Sequence, residues 1–241
     1  MKAFADYHTH TTYSHGEGSI EDNVKVALAK GLRSIAISDH GPGHMGFGIK
    51  RAKYPEMRSI INELNEKYKD INVMLGLEAN ILGIDGKIDM YEEMYEHNDI
   101  LLAGYHFGSS PSKFLDMRIH LMNVAKNTSK RIYSRAKDVN TISQINALEK
   151  YKIDVLTHPG SKGPIDLVEI AKVAARRGTA LEVSNHHSKL SVEDLVLLRD
   201  SDVKFVVSSD AHTPGDVGSF DIAIGKLKEA GIHVSRVINC E

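Results

Sequence analysis

The chain has almost no cysteine, with Cys240 alone among 241 residues. Disulfides within the chain are therefore excluded, and so are thiolate zinc sites; any metal must be held by nitrogen and oxygen. Long hydrophobic runs are equally missing. None reaches the roughly 18 residues of a membrane-spanning helix, and Asp6 and His8 stand where a signal peptide would carry its apolar core. The expectation is a cytoplasmic protein with no membrane partner. Charge of one sign is also lacking, because 30 Lys and Arg against 32 Asp and Glu leave a net charge of −2. Such a balance gives no global basic field for nonspecific nucleic-acid binding, although a local basic patch is not excluded. No repeat, low-complexity tract or interdomain linker interrupts the sequence. With 41% hydrophobic and 26% charged residues, ordinary for a soluble globular chain, residues 1–241 read as one domain of a size common among barrels.

What the chain has in excess is histidine, at 13 residues. The first two follow Ala3-Phe4-Ala5, which leads into a short strand with the continuation Asp6-Tyr7-His8-Thr9-His10-Thr11. Residues two apart in a strand point the same way, so His8 and His10 can grip one ion. Ser19-Ile20-Glu21-Asp22 then opens a helix that Gly31 closes. Arg33 to Ser38 reads as a buried strand before Asp39-His40-Gly41, and Pro55 opens a second helix. Further apolar runs at 72–77, 99–105, 153–157, 180–183 and 203–207 alternate with helical patterns, a tight turn at Asp85-Gly86 and the longest strand-free segment, 107–150. About seven strand–helix units imply a parallel sheet that is closed or nearly closed into a barrel.

In such a barrel the C-terminal ends of the strands converge on one face. Those ends carry His8, His10, His40, Glu78, His106, His158, Asp210 and His212, with His15 close behind the first strand. Singly, each has an ordinary structural reading: a hydrogen-bonded interior histidine, or a helix cap at Asp210. Glu78, after an apolar run, would be costly to bury without a partner, and a cation supplies one. Seven of the 13 histidines fall in or just after strand ends. The set, and no single member, points to a metal site.

These residues resemble the PHP (polymerase and histidinol phosphatase) family of metal-dependent phosphoesterases. The match is carried by Asp6-Tyr7-His8-Thr9-His10-Thr11, Ser38-Asp39-His40-Gly41, Gly76-Leu77-Glu78-Ala79-Asn80, Ala103-Gly104-Tyr105-His106, Thr157-His158-Pro159-Gly160 and Ser208-Ser209-Asp210-Ala211-His212, in the family's order. The resemblance implies an α/β fold, a distorted seven-stranded (β/α)7 TIM-like barrel, and about two to three divalent ions of zinc, manganese or iron. By motif, His8, His10, Glu78 and Asp210 would hold one ion, His15, His40 and His212 a second, and Glu78, His106 and His158 a third, with Glu78 bridging. Many relatives place an aspartate where this chain reads Ser14-His15-Gly16, so the metal at that position is open.

Clustered dications supply a hydroxide near neutral pH and neutralise phosphoryl charge, which suits attack of a metal-bound hydroxide on the phosphorus of a small phosphomonoester. Histidinol phosphate is one candidate substrate, and catalytic roles are expected for Asp210, Glu78 and His212. Alternatives are a 3′-5′ exonuclease-type phosphodiesterase, a non-catalytic metal-binding module, or an amidohydrolase, which also uses His-x-His on a first barrel strand. Lys50, Arg51, Arg118 and Lys162 lie in predicted loops or element starts and are candidate phosphate contacts. His186 and His187 follow a strand and can face the same mouth, whereas His44, His97, His120 and His233 have no assigned role. Segment 41–48, rich in glycine, reads as a rim of the pocket, and 107–150 as an inserted segment forming one wall. The oligomeric state is left open.

Overall fold

Strands and helices alternate as the pattern predicts in the computed structural model, which describes residues 1–187 and 189–241. In chain order the elements are β1 (Ala5–Asp6), α1 (Ile20–Ala29), β2 (Ser34–Ile37), α2 (Tyr54–Lys67), β3 (Asn72–Asn80), α3 (Glu92–Tyr95) and β4 (Ile100–Gly104). There follow α4 (Met117–Ala125), α5 (Lys130–Lys150), β5 (Val155–Leu156), α6 (Leu167–Arg177), β6 (Ala180–Ser184), α7 (Val192–Leu197), β7 (Lys204–Ser208) and α8 (Asp221–Glu229). Local chemistry sets the helix ends. Ser19 and Ser191 accept from the backbone N–H three residues on and close reciprocal capping boxes, while Gly178 ends α6 at a φ of 73°.

The seven strands pair in sequence order, all parallel. Alternate residues therefore separate into two layers. Ile35, Ile37, Leu75, Leu77, Phe205 and Val207 join the large core beneath the helices, whereas Ala36, Leu102, Val155, Ala180 and Val206 form a smaller cluster of the opposite parity, inside the barrel. Glu78 pairs in register with Leu102, and Glu182 with Val206. These two carboxylates thus share the interior parity and cap the apolar plug. The sequence placed Glu78 beyond its strand, but β3 runs on to Asn80 because its ladder with β4 continues to Gly104. Tertiary pairing overrides the weak strand propensity of Glu and Asn here.

The seam between β1 and β7 has a different construction. The isolated bridge Thr9↔Ala211 spans it directly, the C-terminal segment bridges to both sides at Ala3↔Cys240 and Phe205↔Val237, and two buried side chains add to the stitching. Asn239 donates to Ala5 O and Val207 O at 2.8 and 2.7 Å and accepts from Val207 N at 3.1 Å. Asp6 accepts from Ser209 N, Ser209 Oγ and Gly218 N. Segment 107–150 is the β4-to-β5 crossover, made of α4 and α5, and α5 packs on α6 while Ser143 and Asn146 hold the carbonyls of Gly83 and Ile84. The buried face of its helices is occupied by that packing, and of the whole segment only Phe107, its first residue, is among the residues lining the pocket above the strand ends.

The seam yields a stability test. Asn239→Ala strands three buried backbone groups and should cost about 2–4 kcal/mol. Urea unfolding would show it as a lowered midpoint at an unchanged m-value; a shift within about 0.5 kcal/mol would mean that backbone pairing alone closes the barrel.

Candidate metal centre

Glu78 is fully buried and lies under a ring of imidazoles. Its Oε1 is 3.3 Å from His8 Nε2, 3.0 Å from His106 Nε2 and 2.9 Å from His158 Nε2, and its Oε2 is 2.8 Å from His40 Nδ1 and 3.7 Å from His10 Nε2. Asp210, two residues past β7, brings Oδ1 to 3.3 Å from His10 Nε2 and 3.6 Å from His8 Nε2. Tetrahedral ligands bound at about 2.0–2.1 Å would be about 3.3 Å apart, so these spacings are those of a coordination sphere.

Hydrogen bonds on the far side of three of the rings fix their tautomers. Asn80 gives its NH₂ to Asp89 Oδ2 and Gly41 O, so its carbonyl faces His106 Nδ1 at 2.9 Å, and that nitrogen must carry the hydrogen. Glu182 Oε1 accepts from His8 Nδ1 at 2.6 Å, and Asp210 O from His212 Nδ1 at 2.8 Å. The Nε2 lone pairs of His8 and His106 consequently converge on carboxylate oxygens and on each other's neighbours. Acceptors facing acceptors repel unless a cation lies between them. His10 Nδ1, His15 Nδ1, His40 Nδ1 and Glu78 Oε2 are also buried without a hydrogen-bond partner. The residues present therefore fit metal ions, and the outer partners are of the kind that orient ligating histidines.

Three groups of donors lie close enough to share an ion: His8, His10 and Asp210; His10, His15 and His40; and His40, Glu78 and His106. This differs in grouping from the expected sets, because His10 and His40 each stand between two groups. His15 and His212 are in the cluster, with ring centroids 4.3 Å apart. Strain accompanies the placement: His158 and Asp210 adopt φ values of 28° and 54°, uncommon for non-glycine residues and typical of functional sites.

Charge follows the geometry. Burial pulls the Glu78 carboxyl up, but His106, His8 and His40 outweigh it and hold the group well below its ordinary range. Asp210 behaves alike, with burial overcome by His8, His10 and His187. His8 moves well above its usual range: burial opposes, while Glu78, Glu182 and Asp210 favour a second proton. That proton and a metal ion compete for the same Nε2. Burial drives His15 down to about 4 and His106 to about 3, which keeps both neutral and able to ligate.

A pocket of about 480 Å³ opens above the cluster. Phe47 stacks on His15 and His44 at 4.5 and 5.1 Å, so the glycine-rich stretch does form a rim, held where Gly43 N–H meets Asp89. Gly41 is required there, because a Cβ would fall 2.3 Å from Asp89 Oδ1. Of the four basic candidates only Lys162 lines this pocket. Lys50 and Arg118 are exposed elsewhere, and Arg51 stacks on Tyr91 and pairs with Glu93. His186, His187, His44 and Phe107 also line it. Glu182 was missed, although a glutamate between Leu181 and Val183 in an apolar run carries the same signal as Glu78.

A seven-stranded parallel barrel with a histidine-rich, carboxylate-centred cluster at its strand ends defines a class, and comparison with known proteins agrees. The chain belongs to the PHP domain family, which it matches over residues 6–193, and with it to the phosphoester hydrolases. It is 31% identical to a probable phosphatase of Thermoanaerobacter sp. over 100% of this chain and 92% of the relative. To a probable phosphatase of Shewanella sediminis it is 30% identical over 99% of this chain and 90% of the relative. Its fold resembles histidinol phosphate phosphatase from Lactococcus lactis, solved with zinc, L-histidinol and phosphate, at a TM-score of 0.61 and 17% identity over 97% of this chain and 95% of that one. No helix among the described residues is long and apolar enough to cross a membrane.

The depressed histidines set a pH dependence for the metal-free protein. The folded value of about 4 for His15 lies below the roughly 6.5 of an unfolded histidine, so within that window the unfolded chain binds more protons. Stability is complete above about 6.5 and is lost as pH falls through the window. Urea midpoints of chelator-stripped protein should therefore drop on acidification, and drop less steeply in His15→Asn. Equal slopes would mean that His15 titrates alike in both states.

Proposed function

We propose that the protein hydrolyses a small phosphomonoester with two to three divalent ions held by His8, His10, His15, His40, Glu78, His106 and Asp210, together with His158 and His212 beside them. The observation that carries this reading is the sharing of buried Glu78 among five imidazoles, of which His8 and His106 have their Nδ1 hydrogens committed to Glu182 and Asn80 and turn Nε2 toward the carboxylate. Zinc is the first candidate, supported by imidazole-rich donors and by the zinc in the Lactococcus lactis enzyme, with manganese or iron as alternatives. When bound, the ions would activate water and neutralise the phosphoryl oxygens.

The chain's own residues supply the rest. Glu78 and Asp210 set the negative charge that holds cations below the pocket, and Asp210 stands where it can orient an attacking water. His212, its Nδ1 committed to the Asp210 carbonyl, presents Nε2 to the same space. Lys162 places the pocket's ammonium where a non-bridging phosphate oxygen would sit. Phe47 and Phe107 give the mouth apolar surface for the alcohol portion, and histidinol phosphate is one candidate among small esters.

Elemental analysis of protein purified without chelator, followed by a phosphate-ester panel beside amide and lactone panels, tests the reading. At least two ions per chain and turnover of phosphomonoesters are expected, with Asp210→Asn lowering kcat by on the order of 10²-fold or more. One ion or none, or turnover confined to amides or lactones, would contradict it.

A further inference from the structure

His187 joins two parts of the site. Its Nδ1 lies 2.5 Å from Asp210 Oδ2, and Lys162 Nζ lies 2.7 Å from its Nε2. An ammonium only donates, so Nε2 accepts and the ring hydrogen sits on Nδ1, where it donates to the carboxylate. The three residues form one directed chain from Lys162 through His187 to Asp210. The ring itself is held: its backbone N–H donates to Ser184 Oγ at 2.9 Å, and its face lies 5.2 Å from His158.

Each end of the chain has a consequence. With Oδ2 occupied by His187, Asp210 turns Oδ1 toward His10 and His8, the direction in which it can ligate. At the other end, a lysine with three rotatable donors and a long stem is parked over the pocket by an acceptor with no charge of its own. A carboxylate in that place would neutralise the ammonium and repel a phosphate. An imidazole does neither.

We infer that His187 is a positioning residue for both halves of the reaction: it aims the Asp210 carboxylate at the metal and holds the Lys162 ammonium where the substrate's phosphoryl group binds. The inference rests on the metal-dependent reading above. It assigns a role to His187, which no motif of the resemblance covers.

Substitutions at the two nitrogens separate the functions. Zinc affinity of stripped protein is measured by competition with a chelator, and kcat and KM with p-nitrophenyl phosphate. His187→Ala should weaken the tightest-affected zinc by about 10–100-fold, the usual effect of losing an outer-shell partner, and also raise KM. His187→Asn keeps an N–H near the Nδ1 position but has nothing at Nε2; it should recover most of the zinc affinity while KM stays raised. Lys162→Met should raise KM as the Asn variant does, with zinc affinity equal to the parent's. If His187→Ala does not fold, the contrast between the Asn and Lys162 variants still decides. A parent that binds no zinc, manganese or iron overturns the metal-dependent reading itself. A parent that binds them, with parental affinity in His187→Ala or no recovery in His187→Asn, overturns only the role of His187.

Discussion

Everything at the mouth of this barrel depends on one buried carboxylate. Glu78 has no solvent exposure and lies within 3.7 Å of imidazole nitrogens from His8, His10, His40, His106 and His158. An ionised carboxylate in that position would be costly alone, and five neutral imidazoles cannot all donate to it. In the metal-free protein the conflict is relieved by protons, which is why His8 rises and Glu78 falls. Cations relieve it better, because they satisfy carboxylate and imidazole lone pairs together.

The fold exists to keep that carboxylate inside. Glu78 and Glu182 follow apolar residues of the same parity along the barrel interior, so the core turns from hydrocarbon to charge toward one end. Around them a second layer restrains the clustered side chains: Asn80 with Asp89 for His106, Glu182 for His8, and His187 for Asp210. Asp89 links this layer to the rim through Gly43. The geometry of the cluster and the shape of the pocket thereby share their supports.

Much of this was legible in the sequence, for identifiable reasons. Strand–helix alternation gave the barrel because parallel strands need covered faces and helical crossovers, and the residues after each strand gave the cluster of histidines and carboxylates because strand ends converge. What escaped was whatever depends on side chains meeting across long separations. The seam closed by Asn239 and Asp6 joins residues more than 200 apart, as in Ser209 to Asp6, and leaves no local pattern. Basic residues were misjudged for a similar reason: Arg51 and Lys162 look alike in loops, yet one is drawn to Glu93 and Tyr91 and the other to His187. His44 carried no signal, because only the turn of the rim brings it onto His40.

The most direct test of this account is the metal stoichiometry of Glu78→Gln set beside that of His15→Ala, both by elemental analysis after equilibration in excess zinc. Because Glu78 lies within 3.7 Å of imidazoles drawn from all three groups of donors while His15 belongs to one group, the Glu78 variant should lose at least two ions per chain together and the His15 variant at most one. Loss of a single ion in both would contradict a shared, carboxylate-centred cluster.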